Sequence, residues 1–203
     1  MKFSILKLTS FPGKYDVSVL SIQTLLLISI CLFFTGIASG LILPPERFAF
    51  LSGQISSLEQ LAQNIHPFQV STLIFIYLKN VLAVLVSLIL SPLLCLVPIS
   101  TLLLNGWMIS FVSLPLVQSG YIPVLIAGIL PHGIFEIPAF ILGEAIAIGF
   151  GLGMLSMLIK RDWSRMRVLV HQSFCYLVIV ILLLIPAAFI ETFITPLLIV
   201  KFL

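Results

Sequence analysis

Charge is what this sequence has least of. Only 8% of its 203 residues are Asp, Glu, Lys or Arg, against about 25% in ordinary soluble domains. A water-facing surface cannot be assembled from so few charges, so a soluble globular domain is excluded. The 61% hydrophobic content and the mean hydropathy of +1.28 point the same way. The chain reads as an integral membrane protein, one membrane domain over residues 1–203, with no separate soluble catalytic domain expected.

Cysteine is scarce as well. Cys31, Cys95 and Cys175 each lie in an apolar run and share no CxxC spacing. They read as small buried hydrophobes, which excludes a disulfide framework and a thiolate metal set. There is no HExxH, no GxSxG and no pair of neighbouring aspartates, so the common hydrolase signatures are missing. No basic patch is interleaved with exposed aromatics, and nucleic acid is not expected as a partner. The net charge of +3 is more useful as a topology signal.

What the sequence does have is long apolar runs. Residues 1–18 carry Lys2, Lys7 and Lys14 among apolar residues and read as a basic amphipathic lead-in at the inner membrane surface. A first span is expected over 17–43, ending at Pro44-Pro45. Ala38-Ser39-Gly40 resembles a signal cleavage site, but the run is too long for a secretory signal and Asp16 interrupts the basic flank, so a retained span is expected. Residues 44–67 are the most polar stretch and read as an extracytoplasmic loop. Second and third spans are expected at 68–90 and 93–114.

Residues 121–159 would make a helix of nearly 60 Å, too long for one span. A break is therefore expected at Pro131-His132-Gly133, with a half-helix over 122–130, the interrupted segment reaching 133. Pro138 then opens a full span over 137–159. Residues 160–167, rich in Lys and Arg, form a cytoplasmic loop. A last span runs over 170–194, kinked at Pro186, and Pro196 begins a tail. Basic segments at both 1–18 and 160–167 fall on one side only with five spans, so the amino terminus is placed in the cytoplasm and the protein in the cell membrane. The expected fold is all-α, a polytopic bundle of about five transmembrane helices.

The few polar side chains inside these spans are then informative. Of Lys79, Asn80, Asn105, His132, Glu136, Glu144 and Glu191, most map to the middle or outer half of the bilayer. A charge at mid-bilayer costs at least about 2.5 kcal/mol, so one shared buried cluster is expected. The plain structural alternative is an ion pair of Lys79 with a carboxylate. Small residues at four-residue spacing, Ala139, Gly143, Ala147 and Gly151, mark a close-packing face, with a second ribbon at Ala145, Gly149 and Gly153. Gly36 and Gly40 offer a matching surface in the first span. His66 and His171 lie near interfaces and read as solvated or hydrogen-bonded.

Five stretches together resemble the stage II sporulation protein M family. They are Phe34-Thr-Gly-Ile-Ala-Ser-Gly40, Lys79-Asn80, Leu104-Asn-Gly-Trp107, Leu130-Pro-His-Gly-Ile-Phe-Glu-Ile-Pro138 and Ala188-Phe-Ile-Glu-Thr-Phe-Ile-Thr-Pro196. The sequence departs from the pattern at 91–95, where a glycine is expected. The resemblance implies a polytopic membrane protein with no accepted enzymatic activity, its namesake holding peptidoglycan hydrolases at the septal membrane. It marks Asn80, Asn105, His132, Glu136 and Glu191 as the motif polar residues.

Three functions are weighed. The preferred one is a non-enzymatic scaffold or subunit of a membrane complex, with the lipid bilayer, other membrane proteins and a second copy of the chain as partners, and no cofactor. The second is a small transporter or channel using a polar intramembrane site. The third is an intramembrane hydrolase in which His132, Glu136 and Glu191 hold a metal, or Glu136 acts as base. The sequence leaves the metal question open.

Overall fold

A computed structural model describes residues 19–42 and 67–202. The basic lead-in at 1–18 and, but for its last residue, the loop at 44–67 lie outside the described residues, as does His66. Long apolar runs become helices because hydrocarbon offers the backbone no partners, so each segment must satisfy its own amides. They are α1 (Ile22–Ile42), α2 (Val70–Leu90), α3 (Leu96–Gln118), α4 (Ile122–Lys160), α5 (Met166–Phe189), a π-helical turn at Ile190–Ile194, and α6 (Thr195–Phe202). Five helical segments are long and apolar enough to cross a membrane, the last being the continuous stretch Met166–Phe202.

The middle of the bundle belongs to α4, which touches every other helix. All seven residues from Gly143 to Gly149 are buried, so this helix is covered all round rather than along one stripe. Small residues make that possible. A Cβ at Gly143 would meet Val84 of α2 at 2.8 Å, and one at Gly149 would meet Leu25 of α1 at 2.7 Å. At Gly151 it would meet the Ser91 carbonyl oxygen at 2.5 Å and the Cys95 thiol at 2.7 Å. Ala139 and Ala147 are wholly buried.

Gly36 and Gly40 face α3, not the α4 ribbon. A Cβ on Gly36 would overlap the Leu103 carbonyl, and one on Gly106 of α3 would overlap the Phe33 carbonyl. The two backbones touch reciprocally, and the Ser110 hydroxyl donates to the Ile37 carbonyl at 2.7 Å across the same seam.

Two expectations need correction. The backbone does not break at Pro131-His132-Gly133: α4 is one helix of 39 residues with Pro131 and Pro138 inside it. Each proline removes a single amide, at the carbonyls of Ala127 and Ile134, and membrane helices tolerate such losses when neighbours pack around them. The residues are seven apart, so both missing bonds fall on nearly the same side of the helix. Gly133 is helical, and a Cβ there would make only ordinary contacts, the nearest at 3.4 Å. The extra length of α4 is matched by a partner, because the 37 residues of Met166–Phe202 run beside it, with Ile199 3.8 Å from the Cβ position of Gly128.

Nor does Pro196 begin a tail. Helix α5 continues through Pro186, and the irregularity appears one turn later as the π turn, after which Pro196 sits in the first turn of α6. Lacking an N–H, Pro196 leaves the Thr192 carbonyl without its usual helical donor. That carbonyl accepts the Phe68 N–H at 3.3 Å, tying the chain just before α2 to the π turn.

The turn between α2 and α3 is where a family glycine was expected. Leu94 and Cys95 instead adopt left-handed backbone, with φ of 55° and 57°. At the same end of the bundle, the basic turn 161–165 is exposed. Arg161, also left-handed, ends α4, and Asp162 accepts the Ser164 N–H at 3.0 Å. Hydrogen bonds from the Ser164 side chain and backbone hold the Asp162 carboxyl below the usual carboxylate range.

Candidate functional site

The structure divides the expected polar cluster into two sites and two outlying residues. The first site lies where α2, α4 and the π turn meet. His132 and Glu136 stand one turn apart on α4, a spacing that puts them on one face. The His132 Nε2 lies 3.9 Å from Glu136 Oε2. From α2, the Asn80 amide donates to Glu136 Oε1 at 3.1 Å. Glu191 arrives from the π turn, and one ligand atom each from His132, Glu136 and Glu191 lie within 4.8 Å of one another. Thr195 Oγ1, on the first residue of α6, is 3.4 Å from His132 Nδ1.

The π turn is what aims Glu191. One extra residue in the turn rotates the succeeding side chains relative to a regular α-helix, a device often found at functional positions. Thr192 is fully buried and its hydroxyl donates to the Ala188 carbonyl at 2.8 Å. Glu191 and Thr195, one turn apart, both meet the His132 side of α4.

The second site is deeper. Glu144, eight residues along α4 from Glu136, is about 12 Å further into the bundle. Its side chain has no solvent exposure. The Ser87 hydroxyl of α2 donates a short hydrogen bond to Glu144 Oε2. Glu144 Oε1 and the Ser29 hydroxyl of α1 are also buried and make no hydrogen bond among the described residues. They share a layer of the bundle: α1 meets α4 at Phe33 with Phe140 and at Leu25 with Gly149, which brackets Ser29 between those levels.

Asn105 and Lys79 join neither site. Asn105 is exposed and its amide donates to the Thr101 carbonyl of its own helix at 2.9 Å. Lys79 is exposed, with no carboxylate within ion-pair distance among the described residues, although it lies within electrostatic reach of Glu191. The neighbouring amide of Asn80, not the ammonium, contacts the carboxylate. His171 is exposed beside Cys175, with Nε2 and Sγ 3.7 Å apart.

Sequence reasoning missed Ser29, Ser87 and Thr195. Ser87 had a signal, since Asn80, Val84, Ser87 and Ser91 recur at four, three and four residues and mark the inner face of α2. Thr195 had one too, one turn after Glu191.

A bundle of apolar helices around two intramembrane polar sites defines a multi-pass helical membrane protein. Within that class, the family described as Stage II sporulation protein M matches residues 29–196. The chain belongs to that family, and the match takes in every residue of both sites. Comparison with curated proteins and with solved structures returns no match.

Proposed function

We propose that the protein is a non-enzymatic scaffold or subunit of a membrane complex, held in the cell membrane with its amino terminus in the cytoplasm. The observation that carries this reading is the backbone contact between helices. Gly36 and Gly106 bring α1 and α3 together carbonyl against α-carbon, and Gly151 does the same between α4 and the turn at Ser91. Seams of this kind hold helices at a fixed spacing and suit a rigid body that positions other proteins. The exposed apolar side chains of α1, among them Leu27, Phe34 and Leu41, supply surface for neighbouring helices as well as lipid. Family membership supports the same reading. The orientation rests on Lys2, Lys7, Lys14 and the basic turn after α4.

Purification from native membranes in mild detergent tests the proposal. A defined partner retained in fixed ratio through two chromatographic steps is expected, and purification of the chain alone from membranes crosslinked beforehand would contradict it. Cysteine introduced at Arg161 tests orientation, with labelling by an impermeant maleimide expected only after the cytoplasmic face is opened.

A small transporter is the second reading, and one observation favours it. At the centre of the bundle, Glu144 carries a buried carboxylate oxygen with no hydrogen-bond partner among the described residues. Solute or proton flux in proteoliposomes that is lost with Glu144→Gln would replace the scaffold reading with this one.

A further inference from the structure

We infer that His132, Glu136 and Glu191 form a binding site for one divalent transition-metal ion of the zinc type, tying α4 to the π turn. The proposal goes beyond the scaffold reading and does not depend on it. The donor set is mixed, one imidazole nitrogen and two carboxylates, from two separate segments of the chain. Zn2+ accepts such nitrogen and oxygen ligands at about 2.0–2.2 Å. Three donors within 4.8 Å of one another surround a point from which each must move by less than about 1 Å to reach that distance.

The surroundings prepare the ligands. Asn80 occupies Glu136 Oε1, so Oε2 is the oxygen turned to His132. Thr195 stands at Nδ1 of the imidazole, which leaves Nε2 facing the Glu136 carboxylate. Outer hydrogen bonds that fix ring and carboxylate orientation in this way are a regular companion of metal ligation. Two carboxylates also converge here with no ammonium or guanidinium within ion-pair distance among the described residues. A divalent cation supplies the missing charge. His132 and Glu136 are only partly buried, 17% and 30% exposed, so their ligand atoms are not walled off by the bundle.

The ion would act as a clasp. It would hold the π turn, and through it α6 and Phe68, against the outer half of α4. Three ligands leave a fourth position for water.

The full-length protein, purified in detergent and stripped with chelator, is to be incubated with ZnCl2, desalted and analysed by mass spectrometry. About one zinc per chain is expected, falling to under about a tenth of that in His132→Asn and in Glu191→Gln. Thr195→Val, a positioning change, is expected to weaken zinc binding by about 10- to 100-fold with the ion still bound at saturation. The unmodified protein with CoCl2 supplies a readout independent of any variant, namely visible absorption bands that zinc displaces. A chain that retains neither zinc nor cobalt overturns the proposal and leaves only a His132–Glu136 side-chain contact. Zinc retained equally by the variants, or retention of Mg2+ or Ca2+ alone, also overturns it.

Discussion

The Ser87 hydroxyl hydrogen-bonds the Glu144 carboxylate in the interior of the bundle, where Ser87 is 1% and Glu144 0% exposed. Val84 and Val180 pack against Gly143, the residue before Glu144. Both groups are shielded from solvent, so the bond has no ready substitute. Removing one partner of a buried hydrogen bond costs the desolvation of the group left behind, about 1–3 kcal/mol. Ser87→Ala should therefore lower thermal stability in detergent by that order. Ser87→Thr, which keeps the hydroxyl, should lose less. Equal melting of Ser87→Ala and the parent would mean that Glu144 takes its partner elsewhere.

The glycine seams give a paired prediction. A Cβ at Gly106 would run into the Phe33 carbonyl and lie 2.9 Å from the Ile37 nitrogen. Neither backbone atom can turn aside, so Gly106→Ala should separate α1 from α3 and cost about 1–3 kcal/mol or more. At Gly128 the one near atom among the described residues outside its own helical turn is the end of Ile199, at 3.8 Å. Gly128→Ala should be neutral or stabilising by about 0.5–1 kcal/mol. Melting of the two purified variants side by side checks both signs.

A third prediction concerns the turn between α2 and α3. Leu94 is left-handed at φ 55° and 69% exposed, so its side chain contributes little packing while its backbone carries strain. A left-handed non-glycine residue costs about 1–2 kcal/mol. Leu94→Gly should raise stability by up to about 1 kcal/mol, after the glycine's own entropy cost. Cys95→Gly relieves similar strain but empties a buried position that packs on Gly151, so it should not stabilise. If Leu94→Gly melts lower than the parent, the strain is not there.

Much of the architecture was legible. The five spans, the small-residue faces and the family resemblance all derive from apolar runs, residue spacing and motifs, because in a membrane these patterns decide which surfaces can meet. The placement of His132, Glu136 and Glu191 together was legible as a convergence of the two most polar motif segments. The proline punctuation misled. Pro131 and Pro138 read as helix breakers because in water an unpaired carbonyl and a ring clash end a helix, whereas here packing by α5 and α6 carries the helix through. The partition of the polar residues was not legible either. Depth along a span does not say which way a side chain points, so Asn105 and Glu144 were grouped with residues they never meet. Nor does a single sequence show a π turn, which is what brings Glu191 to face α4.

The meeting of α4 with the π turn is what assembles the His132, Glu136 and Glu191 site. Spin labels at Glu136→Cys and Glu191→Cys test it directly, in a background where Cys31, Cys95 and Cys175 are replaced by serine or alanine. Strong dipolar broadening in the doubly labelled protein, absent from either single-label protein, is the expected result. Spectra of the double that simply sum the two singles would contradict it.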